Sequence, residues 1–228
     1  MFITGTNTNI GKTIVTGLIA RYFQKKNNNT ITQKWIQTGN QLQSEDILLH
    51  YHIMGLPNKT HSKHCCPYLF KFPASAHLAA NLEKKSIDIK TIKKAYHALK
   101  KEYQTVIVEG LGGIAVPINS EITTLDLVKE LKLPTIIVFG NELGTINHTL
   151  LTVKVLQHEN IPIVGLIYNH IHHQEHPLIT NDNPKIIETL TNLPILAHIP
   201  YINTDITKIH KEPCYDQLCN SLDKIYNK

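Results

Sequence analysis

Short runs of apolar and β-branched residues recur along the chain, spaced far enough apart to hold a helix between them. They fall at 2–4 (FIT), 30–38 (TITQKWIQT), 105–109 (TVIVE), 135–139 (TIIVF), 162–169 (PIVGLIYN) and 194–200 (PILAHIP). Runs of this kind read as strands buried on both faces, and their alternation with helix-length segments reads as parallel βαβ units. The intervening segments predict helices over 12–25, 44–53, 75–84, 89–103, 124–132, 146–159, 184–191 and 214–226. Within 89–103, Ile92, Ala95, Tyr96, Leu99 and Tyr103 share one face, while Lys93, Lys94, Lys100 and Lys101 lie off it. That spacing describes a solvated amphipathic helix better than a nucleic-acid-binding face. Neither an internal repeat nor a flexible linker interrupts the pattern. A single α/β domain over 1–228 is therefore expected, with three layers and a mostly parallel sheet carrying helices on both faces.

The 228 residues are enough for a sizeable core. The formal charge of +5 is spread over dispersed lysines with no interleaved aromatic platforms, so an anionic small substrate accounts for it as well as nucleic acid does. No stretch approaches the roughly 18–20 apolar residues of a membrane span. The start, MFITGTN, lacks a basic region followed by an apolar one. Cys65, Cys66, Cys214 and Cys219 are too few and too clustered for a secreted disulfide framework. These features predict a soluble cytoplasmic protein with reduced thiols and neither a nucleic-acid nor a membrane partner.

Candidate chemistry gathers at the ends of the predicted strands. TGTNTNIGKT (4–13) almost spells a phosphate-binding P-loop, but Gly5 stands one residue too early and Thr6 takes the usual glycine position. A strand ending at Thr4 and a helix opening near Lys12 would aim backbone N–H groups around Asn9, Ile10 and Gly11 at one anion. Lys12 adds a charge, and Thr13 a hydroxyl for Mg²⁺. VIVEGLGG (106–113) delivers Glu109 to the C-terminal edge of a strand, where ligands bind in open parallel sheets, so Glu109 is a candidate Mg²⁺ ligand. Gly110, Gly112 and Ala115 fit a dinucleotide fingerprint, yet Pro117 and its β-branched surroundings argue against the helix that fingerprint needs.

QKWIQTG (33–39) brings Lys34 and Thr38 to the same edge. A lysine between apolar strand positions is costly to bury without an anionic partner, so it either snorkels outward or meets a ligand. In SEDILL, Ser44 is a candidate N-cap, and Asp46 fits either a ligand role or a first-turn acid favouring the helix dipole. The histidine-rich pieces HSKHCC (61–66) and NHIHHQEH (169–176) lack a C-x-x-C pair or matching second half, so they read as polar loops rather than zinc sites. Cys65 has no identifiable base that would make it a nucleophile.

Together, GTNTNIGKT, KWIQTG, SED, PASAHLAA, VEGLGGIAVP, GNELGTINHTLLT, YNH and IPY run in the order of, and resemble, the dethiobiotin synthetase family. These are ATP-dependent enzymes that close the ureido ring in biotin synthesis. The family's phosphate loop carries five residues between Gly and Gly-Lys-Thr, which accounts for Gly5. The resemblance implies a P-loop NTPase-type fold, ATP and Mg²⁺ as cofactors, 7,8-diaminopelargonate and CO₂ as substrates, and a homodimer. It also implies that Lys12 and Lys34 contact phosphate and the reacting carbamate, that Thr13, Asp46 and Glu109 organise Mg²⁺, and that Thr8 and Thr38 line the site. Leu143, Gly144, Thr145 and Asn147, from the partner subunit, would hold the substrate carboxylate at a helix start. Asn169 would read the adenine edge beside Pro200.

The chain departs from the family at Asn7, where many members carry Asp, and at Trp35 and Gln37, where Pro and a small residue are common. After Pro200, YINTDITKIHK lacks the expected acidic and glycine pattern. The alternative is an ATPase switch of the partitioning or septum-positioning type acting through protein partners, but TNTNI lacks the signature lysine those switches carry. A GTPase switch would need an N-K-x-D element, which the chain lacks.

Overall fold

The computed structural model describes residues 1–26, 28–57, 62–173, 176–203 and 205–226. The first half runs β1 (Phe2–Gly5), α1 (Lys12–Lys25), β2 (Thr30–Lys34), β3 (Ile36–Thr38), α2 (Glu45–Met54), β4 (Tyr68–Phe70), α3 (Ala76–Leu82) and α4 (Ile89–Glu102). The second runs β5 (Thr105–Glu109), α5 (Thr124–Glu130), β6 (Thr135–Gly140), α6 (Thr145–His158), β7 (Ile163–Asn169), α7 (Pro177–Thr191), β8 (Ile195–Ile199) and α8 (Pro213–Tyr226), with a 3-10 turn at Ile206–Lys211. Six strands form a parallel sheet in the order β2-β5-β1-β6-β7-β8, with helices packed around it. The apolar runs supply its interior: Phe2, Ile3, Ile107, Val108, Ile136, Ile137, Val138, Leu166 and Ile167 are fully buried. Among the described residues, no helix is long and apolar enough to cross a membrane.

Several boundaries differ from the sequence pattern. The single strand expected at 30–38 is two strands separated at Trp35, and β3 pairs in parallel with β4, a three-residue strand the pattern does not flag. The main ladder ends at Lys34, whose N–H donates to the Cys65 carbonyl at 2.8 Å. Trp35 then buries its ring 5.1 Å from that of Phe2 and donates its indole N–H to the Gln33 side chain. Helix α7 starts at Pro177 instead of 184, with Pro184 inside it. Proline suits a first helical position, and an interior one removes a single ladder bond, a cost the helix bears here. The amphipathic reading of α4 holds: Ile92, Ala95, Tyr96 and Leu99 are its buried residues. Of the histidine-rich pieces, His61, Gln174 and Glu175 lie outside the described residues.

Parallel strands place all their C-terminal ends at one edge. Register sets Lys34 directly beside Glu109, and Ile3 beside Glu109 on its other flank. The loop after β1 and the N-terminus of α2 meet at the same edge.

Candidate active site

Two tight approaches shape the loop between β1 and α1. A Cβ on Gly5 would stand 2.6 Å from Ile10 Cγ2, so glycine lets the loop fold back over a fully buried Ile10. Gly11 caps α1 at φ +91°, and a Cβ there would stand 2.1 Å from Asn169 Nδ2. That amide donates to the Ile10 carbonyl at 3.0 Å, tying the loop to the end of β7. Asn9 also has positive φ and is exposed. Asn7 Oδ1 accepts from the Thr8 N–H at 2.8 Å, while Asn7 Nδ2 donates to Glu142 at 3.3 Å. An aspartate could not make the second bond, so the Asn7 departure is matched by its neighbour.

Lys12 is buried and donates to the Asn7 carbonyl at 2.7 Å. Burial, and after it the Lys34 ammonium, push Lys12 down to about 8, against the opposing pull of Glu109 and Asp46. A bound triphosphate would restore its charge. Nucleotide binding above pH 8 is therefore expected to take up protons, and affinity to fall by up to about tenfold per pH unit as the pH rises past that value. Calorimetry in buffers of differing ionisation enthalpy measures both effects.

Beside the loop lies a compact charge cluster. Lys34 Nζ is 2.7 Å from Glu109 Oε1, 2.7 Å from Asp46 Oδ2 and 3.1 Å from the Gly110 carbonyl, which uses all three of its donors. Burial alone would lower the Lys34 pKa, but Glu109 and then Asp46 overcome it and raise it. Burial would likewise raise Glu109, yet Lys34 and then His50 hold it down to about 2. Thr13 Oγ1 stands 3.1 Å from Glu109 Oε1 and 3.2 Å from Asp46 Oδ1. The two carboxylates present hard oxygen donors, with Lys34 between them and the Lys12 ammonium lining the same cavity. The strand lysine has thus met anionic partners, and Asp46 faces the cluster while also opening a helix that Ser44 caps.

A cavity of about 210 Å³ is lined by Thr8, Gly11, Lys12, Lys34, Asp46 and Glu109, among others. It adjoins a trough of about 970 Å³ walled by Leu111, Ile114, Val116, Leu151 and Val155. Thr8, Asn9, Thr38, Leu111 and Gly112 line both. Gln37 lines the smaller cavity, whereas Trp35 lines neither and belongs to the core. Leu143, Gly144, Thr145 and Asn147 border a third cavity of about 580 Å³ at the start of α6. Leu143 is fully exposed there, and the Thr145 hydroxyl is turned inward, donating to the Gly140 carbonyl. Asn169 and Pro200 are neighbours at the ends of β7 and β8, Asn169 being in register with Ile199.

Comparison with known proteins places this arrangement. A family model described as an AAA domain matches residues 1–208. The ATP-dependent dethiobiotin synthetase of Chlorobaculum tepidum is 38% identical over 92% of this chain and 89% of its own length. That of Pasteurella multocida is 44% identical over 74% and 80%, and that of Halalkalibacterium halodurans 34% identical over 100% and 93%.

The chain belongs to the dethiobiotin synthetase family.

Solved structures extend the likeness in fold. The MinD cell division protein of Aquifex aeolicus superposes with a TM-score of 0.61 at 16% identity, covering 100% of this chain and 96% of MinD. A ParA family ATPase from Chlorobium tepidum gives 0.59 at 16% identity, covering 98% and 97%. These neighbours share the P-loop NTPase architecture. In this dethiobiotin synthetase family member, Gln37, noted in the sequence as a departure from the family, lines the smaller cavity, and His50 joins the site without having been singled out. The four-residue spacing from Asp46 to His50 on one helix is the signal that could have found His50.

Proposed function

We propose that the protein converts 7,8-diaminopelargonate and CO₂ to dethiobiotin at the expense of ATP, in the cytoplasm, as a step of biotin biosynthesis. The observation that carries this reading is the small charged cavity adjoining the larger, mostly apolar trough. A substrate with reacting amines at one end and a methylene chain behind them fits that division of polarity. One amine attacks CO₂ to give a carbamate. The carbamate oxygen attacks the γ-phosphorus of ATP and expels ADP, forming a carbamic-phosphoric anhydride. The second amine attacks the carbonyl carbon and expels phosphate, closing the ring. Fixing the two amines side by side makes closure effectively intramolecular.

Lys12 and the loop N–H groups would bind the phosphates, and Lys34 would stabilise the carbamate and the transferring phosphoryl group. The nearby cations favour the neutral, nucleophilic form of the substrate amine. Thr13, Asp46 and Glu109 suit Mg²⁺, since they offer hard oxygen donors. Lys34 already shows that the two carboxylates gather around a cation. When bound, the metal would neutralise charge on the β- and γ-phosphates. The Asn169 side-chain carbonyl would accept from the exocyclic amino group of the adenine base.

The exposed Leu143 and the adjoining cavity support a homodimer in which Gly144, Thr145 and Asn147 of one protomer receive the substrate carboxylate of the other. Incubation with ATP, Mg²⁺, labelled bicarbonate and 7,8-diaminopelargonate should yield labelled dethiobiotin by mass spectrometry. No labelled ring product would overturn this reading, and hydrolysis stimulated by a protein partner without the diamine would favour an ATPase switch.

A further inference from the structure

Both oxygens of Glu109 are engaged, and the second is held by a side chain that makes no other polar contact among the described residues. His50 Nε2 lies 2.8 Å from Glu109 Oε2, with both side chains essentially inaccessible. His50 Nδ1 is also buried and has no hydrogen-bond partner among the described residues. An apolar side chain of similar volume would fill this space without leaving a ring nitrogen unpaired. The polar role of this imidazole is therefore at Glu109, whose carboxylate oxygen accepts from Nε2.

We propose that His50 is a positioning residue that turns Glu109 Oε1 toward Thr13 and Asp46 and so sets the affinity of the site for a divalent cation. The inference rests on the reading that Asp46 and Glu109 hold Mg²⁺. Oε1 already points to that side, 3.1 Å from Thr13 Oγ1 and 2.7 Å from Lys34 Nζ. Because Asp46 and His50 stand one helical turn apart on α2, one rigid element supplies both a ligand and the group that orients the other ligand. Partners behind metal-ligating groups typically change metal affinity by about 10–100-fold when removed.

The test is Mn²⁺ binding to the protein–ADP complex, followed by electron paramagnetic resonance, for wild type, His50→Gln and His50→Asn. The Gln amide reaches about as far as Nε2, whereas the Asn amide falls short. His50→Asn is expected to bind Mn²⁺ about 10–100-fold more weakly, and His50→Gln to stay within about threefold of wild type. In turnover, His50→Asn should raise the KM for Mg²⁺ while kcat at saturating metal changes little. If His50→Asn does not fold, His50→Leu, which removes the donor and fills the volume, replaces it. Unchanged Mn²⁺ affinity in the donor-lacking variant, or equal weakening in His50→Gln, overturns the proposal. Absence of Mn²⁺ binding by wild type overturns the metal assignment and the proposal with it. Normal Mn²⁺ binding without ring product overturns the proposed reaction alone, and the variants still decide the role of His50.

Discussion

Replacing Lys34 by glutamine is expected to reduce ring closure by about 10³-fold, because the group proposed to meet the carbamate and phosphoryl charge is lost from a desolvated site. The substitution should also destabilise the protein, since it removes the cation shared by a buried Glu109 and a partly exposed Asp46. Removing one partner of a buried ion pair costs about 3–5 kcal/mol. His50 still holds Glu109, so the lower end, about 3 kcal/mol, is expected. In a chain of this size that corresponds to a fall in Tm of about 6–12 °C. Millimolar Mg²⁺ should recover part of the loss in the variant and raise its Tm more than that of wild type, because the two carboxylates would be left without their ammonium. Single-turnover assays and thermal melts with and without Mg²⁺ check both effects. Near-normal turnover would remove Lys34 from the reacting centre, and an unchanged Tm would show that the ion pair contributes nothing to folding.

Gly11→Ala should be almost as damaging, by a different route. The residue sits at φ +91°, and the added methyl would overlap Asn169 Nδ2 at 2.1 Å and Cγ at 3.0 Å. Left-handed backbone strain and overpacking together should cost about 2–4 kcal/mol. The loss in function should exceed the loss in stability: once Asn169 is pushed off the Ile10 carbonyl, the phosphate loop loses its tie to β7. Nucleotide affinity should fall by about 100-fold, a change of about 3 kcal/mol. Gly39→Ala is the control, because its φ is +83° but its Cβ would meet only Pro73, no closer than 3.3 Å. It should show strain without loss of nucleotide. Fluorescent nucleotide titration of both variants separates the effects, and equal affinities would refute the tie.

The parallel sheet was legible because its strands are buried on both faces and leave uninterrupted apolar runs such as TIIVF and TVIVE. The split at Trp35 was not, since an aromatic residue between apolar positions looks the same whether its strand stays in the sheet or leaves it. β4 has only three residues, too few for periodicity to show. The start of α7 was obscured because Pro184 looks like a boundary, while Leu178 and Ile179, exposed on its first turns, give no buried stripe. The phosphate loop and Glu109 could be read from local order, as each lies at the end of an apolar run. Asp46 could not be weighed against a helix-dipole role until its distance to Lys34 was known. His50 was missed for a related reason: its spacing from Asp46 could mark it as sharing a helix face, but its partner lies 59 residues away in sequence and the spacing does not name it.

The departure of the chain from the main sheet at Trp35 also bears on how such an enzyme can change over generations. Lys34 is locked into the main ladder, whereas Gln37 and Thr38, a few residues later, hang on the short ribbon with β4. On the proposed reading of the site, a change in the ribbon would reshape the wall that Gln37 and Thr38 give the charged cavity while Lys34 and Glu109 keep their register in the main ladder.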